Sequence, residues 1–318
     1  MNGLRRKLPS SGSLFVFEAA ARHQNFTRAA DELNVTQPAV SRSLAALEAH
    51  LGARLFLRGK LGAQLTEDGV MLKNAIVSAF SQIEDALREV EARRTGKSQV
   101  TLSVSTAFTT HWLMPRISRF QAAFPEVDLR FQLISGAVAG PLGDVDLAMR
   151  YCAPGDEQGR FVMQEAYVPV AAPGYEEALG EGELPALIQL EGNEWNRLPG
   201  AEGWTSGDPE PQLSFSDYSV VVQAALVGQG VAAGWLNVVA HWICENRLCP
   251  AENSGLVRPG RVCRLIQRHD GPQVDIVERV AEWLVHELRE DVARMHRQYP
   301  KLGIGALLDP VQSEGNRT

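Results

Sequence analysis

The 318-residue sequence is short of the groups that build metal, redox and membrane chemistry. It holds four cysteines, Cys152, Cys244, Cys249 and Cys263, which follow no metal-ligand pattern. Buried thiols are the expectation, with a redox pair of Cys244 and Cys249 as the alternative. No apolar run reaches the roughly 18 residues that cross a bilayer. The N-terminal basic stretch precedes an apolar segment too short for a signal peptide and without a small-residue cleavage site, which predicts a cytoplasmic protein with no membrane partner. G-x-S-x-G, G-x-x-x-x-G-K, H-E-x-x-H and C-x-x-C are all missing, and the glycines of GQGVAAG follow a helix instead of opening one. An enzyme, a cofactor and a metal site are therefore not expected.

What is present is ordinary in amount but uneven in place. Hydrophobic residues make up 45% and charged residues 22% of the chain, enough for folded cores in about two domains. The net charge of −7 hides an asymmetry: residues 1–66 carry nine Lys/Arg against four Asp/Glu, and the remainder 22 against 34. A basic head on an acidic body suits a protein whose one end meets a polyanion.

Within the head, Leu14, Phe15, Phe17 and Glu18–Ala21 start an amphipathic helix. Thr27 is the expected cap of a second, with Ala29, Ala30 and Leu33 on its buried side. Asn34 suits a left-handed turn and Val35 is expected to point into the core. Thr36 then caps a third helix, Pro38 falls in its first turn, and Val40, Leu44, Leu47 and Leu51 form one buried stripe. Gln37, Ser41 and Arg42 lie opposite that stripe, near the helix start. Such side chains suit a major groove, where Arg forks to guanine, Gln to adenine, and the terminal amides face phosphate. Arg58 and Lys60, among the glycines of FLRGKLGAQLT, predict a β-hairpin wing on the flanking backbone. A helical hairpin with solvated polar residues is the bland alternative.

The run FTRAADELNVTQPAVSRSLAALEAHLGARLFLR…LTEDG resembles the N-terminal signature of the LysR-type transcriptional regulators. That resemblance implies DNA contacts at Gln37, Pro38, Ser41 and Arg42, beside Thr36, and at Arg58 on the wing. The stretch RGKLGAQL departs from the bulkier Arg-rich or aromatic wing expected of relatives.

Residues 67–96 lack proline. Leu72, Ile76, Ala79, Ile83, Ala86 and Val90 are spaced as a heptad seam, which calls for a partner helix from a second copy, or else for the chain's own body. The resemblance implies a dimerising linker helix.

From residue 97 the pattern alternates between strands and helices. Strands are expected at 100–106, 127–134, 145–150, 166–172, 212–216, 230–235 and 261–268. Helices are expected over 111–124, 217–228 and 273–297, the last against the first half. The fold class is thus α plus α/β: a winged helix-turn-helix (1–66), a linker helix (67–96), a two-lobed α/β domain (97–300) and a mobile tail (301–318). Lobe I is placed at about 97–166 and 268–300, lobe II at about 167–267. Ligands of open parallel sheets bind at the carboxyl ends of strands, which selects Ser105, Thr106, Thr109, Ser135, Arg150, Ser216, Asp217 and Tyr218.

STAFTTHWLMPRISRF…DVDLAMRY…PVAAPGY resembles the effector domain of the glycine-cleavage-activator branch of that family, a periplasmic-binding-protein-like fold. His111 stands where a small residue is expected and is a further candidate. Trp112, Trp204, Trp235 and Tyr218, with Asp217, could form a cation–π cage, and FSDYSVVVQAALVGQGVAAGW is similar to regulators associated with choline or choline-sulfate use. Core packing of these aromatics is the alternative. The expected partners are double-stranded DNA, a quaternary ammonium or amino-acid-like effector, RNA polymerase, and a second copy in a homodimer or homotetramer. The rivals are a small-molecule binding protein or enzyme with an incidental helical head, and a body that only oligomerises.

Overall fold

The computed structural model describes residues 10–59, 62–134, 145–181, 183, 185–191, 213–252, 254–269 and 273–310. Two compact units, Met1–Arg88 and Glu89–Thr318, divide the chain inside a long helix.

The first unit begins with helices α1 (Gly12–His23), α2 (Phe26–Glu32) and α3 (Gln37–Leu51). Phe17, Ala19, Ala20, Ala29, Val40, Leu44 and Leu47 form its core. The small alanines let the helices approach closely. Asn25, not Thr27, caps α2: its side chain accepts from the amides of Thr27 and Arg28. Asn34 makes the turn at φ 52, as a short polar side chain allows. Two apolar positions at the ends of this segment need correction. Val35 is 45% exposed and Leu51 is exposed, because the turn rotates the first outward and the second lies past the last layer of the core. Strands β1 (Phe56–Gly59) and β2 (Gly62–Leu65) pair as an antiparallel ribbon. Helix α4 (Glu67–Thr95) follows. Thr66 starts it, its hydroxyl accepting from the Gly69 amide. A Cβ on Gly69 would lie 2.2 Å from the Leu55 carbonyl oxygen, so glycine is required where helix and ribbon cross.

The second unit holds two five-stranded sheets. The first is built from β3 (Ser98–Ser105), β4 (Val127–Ile134), β5 (Leu147–Cys152), β6 (Arg160–Gln164) and β12 (Val262–Gln267). Strand β3 runs parallel to β4 and β5, whereas β12 is antiparallel to β5 and β6. Between β3 and β4 come a π-helical segment (Phe108–Leu113), a 3-10 turn (Met114–Arg116) and α5 (Ile117–Ala123). The second sheet contains β7 (Tyr167–Ala171), β8 (Leu187–Leu190), β9 (Leu213–Phe215), β10 (Val231–Trp235) and β11 (Cys249–Pro250). Helices α6 (Tyr218–Leu226) and α7 (Leu236–Cys244) flank β10, and α8 (Val274–Gln298) follows β12. One apolar core runs through both lobes.

Three expectations need correction here. Residues 262–267 belong to the first sheet, not lobe II, because β12 crosses back to pair with β5 and β6. Both sheets are mixed rather than parallel. The tail from 301 is packed to at least Leu308: Ile304 and Leu307 are fully buried, and Arg289 donates to the Leu308 carbonyl.

Candidate functional site

On the head, α3 divides its surface between two tasks. Val40, Leu44 and Leu47 are buried, while Thr36, Gln37, Pro38 and Arg42 are exposed and Ser41 is half-exposed. One turn apart, Gln37 Nε2 donates to Ser41 Oγ at 3.0 Å and Arg42 Nε donates to the Pro38 carbonyl at 3.3 Å. The polar groups hold one another in helical register with their remaining donors facing solvent. Thr36 occupies the N-cap with φ −81 and ψ 146, but its side chain makes no cap bond. Arg58 lies in β1 opposite Ala63, and Lys60 falls outside the described residues.

Glu48 was missed by sequence reasoning. Its Oε1 accepts from the amides of Leu55 and Phe56 at 2.7 and 3.1 Å, tying α3 to the ribbon. An acid near a helix C-terminus opposes the helix dipole, and that mismatch was its available signal. A second brace is an exposed ion network: Glu32 accepts from Arg22 and also bonds His23. Those bonds hold the Glu32 carboxyl down to about 2.

The stripe on α4 is used twice. Leu72, Ile76 and Phe80 pack into the head's own core, and Phe15 stacks on Phe80 at 4.6 Å. This corrects the expected continuous dimer seam, of which Leu72 and Ile76 serve their own chain. Further along, Ile83, Leu87 and Val90 lie i, i+4, i+7 on one face and are 57%, 63% and 64% exposed. Ala79 and Ala86 are exposed as well.

In the second unit, the carboxyl end of β3 and the N-terminus of α6 meet. Ser105 Oγ accepts from the Phe108 amide, and Thr109 Oγ1 donates to the Ser105 carbonyl. Thr106 and Thr109 are half-buried. Asp217 caps α6 by accepting from the Ser219 amide at 2.7 Å, and Ser216 is exposed. His111 is buried, its Nε2 lying 2.9 Å from the Ser219 carbonyl oxygen and 3.1 Å from Ser219 Oγ. It therefore links the two lobes, and burial holds its pKa below the ordinary histidine value. Ser135 and Trp204 fall outside the described residues.

The expected aromatic cage is not assembled. Trp112 is fully buried, stacks on Phe108 and donates from Nε1 to Asp291 at 2.8 Å, so it is core. Trp235 and Tyr218 pack edge to face at 5.1 Å, and the Tyr218 hydroxyl donates to the Ala233 carbonyl while accepting from the Trp235 amide. Burial pushes the Tyr218 phenol well up, which keeps it protonated.

The two chain crossings between lobes carry a network that sequence reasoning missed. Glu165, between β6 and β7, accepts two bonds of 2.7 Å from Arg261, just before β12, and one of 3.0 Å from Trp235 Nε1. Arg261 also lies over the Tyr151 ring, whose hydroxyl donates to Asn237 Oδ1 at 2.6 Å. An acid inside the apolar run MQEAYVPVAA was the one local sign of it.

Among the described residues no cluster of His, Cys, Asp or Glu fits a metal, and no helix is long and apolar enough to cross a membrane. The four thiols are free, and burial raises each, Cys244 to about 11.

Residues 12–70 match the bacterial regulatory helix-turn-helix protein model of the lysR family, and residues 93–289 match the LysR substrate binding domain. This chain belongs to the LysR family. It is a LysR-type DNA-binding transcriptional regulator with an effector-binding domain, and its relatives are regulators rather than enzymes. It is 36% identical over 263 residues to the glycine cleavage system transcriptional activator of Escherichia coli K12, covering 78% of this chain and 84% of that one. It is 32% identical to the transcriptional activator AmpR of Rhodobacter capsulatus, covering 87% of this chain and 97% of that one. The solved LysR-type regulator CrgA of Neisseria meningitidis aligns over 89% of this chain and 99% of its own, with 21% identity and a TM-score of 0.43.

Proposed function

We propose that the regulator places the start of α3 in the major groove of operator DNA, with Thr36, Gln37, Pro38, Ser41 and Arg42 facing the bases and phosphates. Arg58 and Lys60 on the ribbon take the adjacent backbone. The observation that carries this reading is the two-sided α3: three leucine and valine positions sealed in the core, and a preordered polar face opposite them. Arg42→Ala tests it. The variant should melt like wild type yet lose roughly 1–3 kcal/mol of operator binding, with relaxed base preference. Unchanged operator affinity in a gel-shift titration rules the groove assignment out.

A second copy completes the reader. Ile83, Leu87 and Val90 form an uncovered apolar stripe on a helix, the kind of face that pairs with itself. Two linked heads bind a two-fold site far more tightly than one. We take the assembly to be a homodimer, or a homotetramer formed from two, working in the cytoplasm. The functional division is residues 1–66 for DNA, 67–96 for pairing, and 97–300 for sensing.

The effector is a small molecule held between the lobes, near Ser105, Thr106 and Thr109 on one side and Ser216, Asp217 and Tyr218 on the other. His111 and the Glu165–Arg261 pair span the lobes, so a ligand that changes lobe closure acts against them. Closure then alters the spacing of the paired heads, the bend they impose on DNA and the recruitment of RNA polymerase. An amino-acid-like effector fits the likeness to the glycine cleavage system transcriptional activator of Escherichia coli.

A further inference from the structure

Two arginines of the effector domain stand side by side, and among the described residues no carboxylate pairs with either. Arg150 of β5 and Arg264 of β12 are direct partners across antiparallel strands, so both side chains leave the sheet on one face. Like charges placed this way repel, and more strongly away from water. Arg150 is only 5% exposed. Its Nη1 donates to the carbonyls of Ser103 and Met149, and its Nη2 to Ser103 Oγ. Arg264 Nη1 donates to the Gly159 carbonyl at 3.0 Å. The Nε of each is buried with no partner.

Among the described residues, Arg116 is the other arginine buried in the core. Arg116 is ion-paired with both Asp291 and Glu287, whereas among the described residues neither Arg150 nor Arg264 has a carboxylate within 4.0 Å. The Asp156 carboxylate accepts from the Gln158 amide instead. A buried charge without a partner is costly and marks places kept for function.

The pair also lies at the correct end of the sheet for a ligand. Ser103 of β3 is opposite Ala148 of β5 in a parallel pairing, which places Arg150 level with Ser105 at the strands' carboxyl ends.

We propose that Arg150 and Arg264 are the anion-holding end of the effector site, and that the effector carries a carboxylate whose charge balances the two guanidinium groups. The inference rests on the interlobe reading above and names the class of ligand for it. A carboxylate balances guanidinium charge and accepts charge-assisted hydrogen bonds from it. A cationic ligand brought to this corner would meet two like charges.

The test is thermal melting of the full-length protein at constant ionic strength with sodium acetate, glycine, sodium phosphate or choline chloride. Acetate and glycine should raise the wild-type Tm with saturating dose, and Arg264→Gln should lose that rise. Arg150→Met should raise the ligand-free Tm, since it removes an unbalanced buried charge, and should abolish the acetate response. Failure of acetate and glycine to shift the wild type, a response to choline alone, or a larger response to phosphate than to acetate each overturns the proposal. So does a lower ligand-free Tm in Arg150→Met. The underlying reading fails separately: a metabolite extract that changes neither Tm nor operator binding of the wild type removes it. An extract that acts equally on wild type and Arg264→Gln removes only the carboxylate assignment.

Discussion

Asp291→Asn is the most informative single change in the effector domain. Asp291 and Arg116 are both 3% exposed, and Asp291 Oδ2 takes the Arg116 guanidinium and the Trp112 indole N–H together. Arg116 also donates to the Trp112 carbonyl at 2.8 Å, and its guanidinium lies 4.7 Å from the centre of that ring. Asparagine keeps the shape but removes the charge. Glu287 then remains as a counter-ion only at 3.7 Å, and it is shared with Arg119. Stranding a buried charge costs roughly 3–5 kcal/mol. For a domain of this size each kcal/mol moves Tm by about 2–4 °C, so the expected loss is on the order of 6–20 °C.

Scanning calorimetry of the full chain measures this, with near-UV circular dichroism reporting Trp112. The transition of the second unit should fall and that of the head should stay. The double variant Arg116→Met with Asp291→Leu should recover most of the loss, because replacing both partners by apolar groups strands nothing. A single variant within about 3 °C of wild type, on the scale above, refutes the reasoning. So does a double variant no better than the single one, since the cost would then lie in packing.

Other consequences can be checked with the same protein. Leu87→Asp should shift the assembly toward smaller species in sedimentation velocity while leaving the head folded; an unchanged sedimentation coefficient would show that this stripe pairs with nothing. Asn34→Gly should be near neutral, whereas Asn34→Val should cost about 1–2 kcal/mol, because a β-branched residue is strained at φ 52. The support that Arg22 and His23 give Glu32 is complete above the unfolded value near 4.5 and disappears as pH falls through about 2. The head should therefore lose Tm across that window, and Glu32→Gln should flatten the loss. His111 is held below 6.5 by burial, with Asp217 opposing it only in part; stability of the second unit should drop as pH falls below about 6.5, because the unfolded chain takes up the proton first. His111→Gln should reduce that slope.

The head was legible because its signals are local. A turn residue, a proline in the first turn and a repeat of apolar positions all act within a few residues of one another, and each constrains the backbone directly. The long strands β3, β4 and β10 were visible for the same reason. Strand β12 was also visible, but not its sheet, since pairing with β5 and β6 is set by a chain crossing about a hundred residues away from them. The four-residue β8 and the two-residue β11 carry too little pattern to register, and α7 is only nine residues long with two polar positions, Asn237 and His241, to mark its period.

Aromatic residues were the hardest to place. Trp112, Trp235 and Tyr218 have the same composition signature whether they line a cavity or fill a core, because both environments reward large apolar surface with one polar atom. What separates them is the partner of that polar atom, Asp291, Glu165 and Ala233 in turn, and two of those three lie more than fifty residues away in sequence. Arginine differs in this respect, since an unbalanced charge cannot be absorbed by packing. Arg116 and Arg150 look alike in the sequence, and only the presence of Asp291 beside one and of Arg264 beside the other separates a paired core arginine from the one proposed above to meet a ligand.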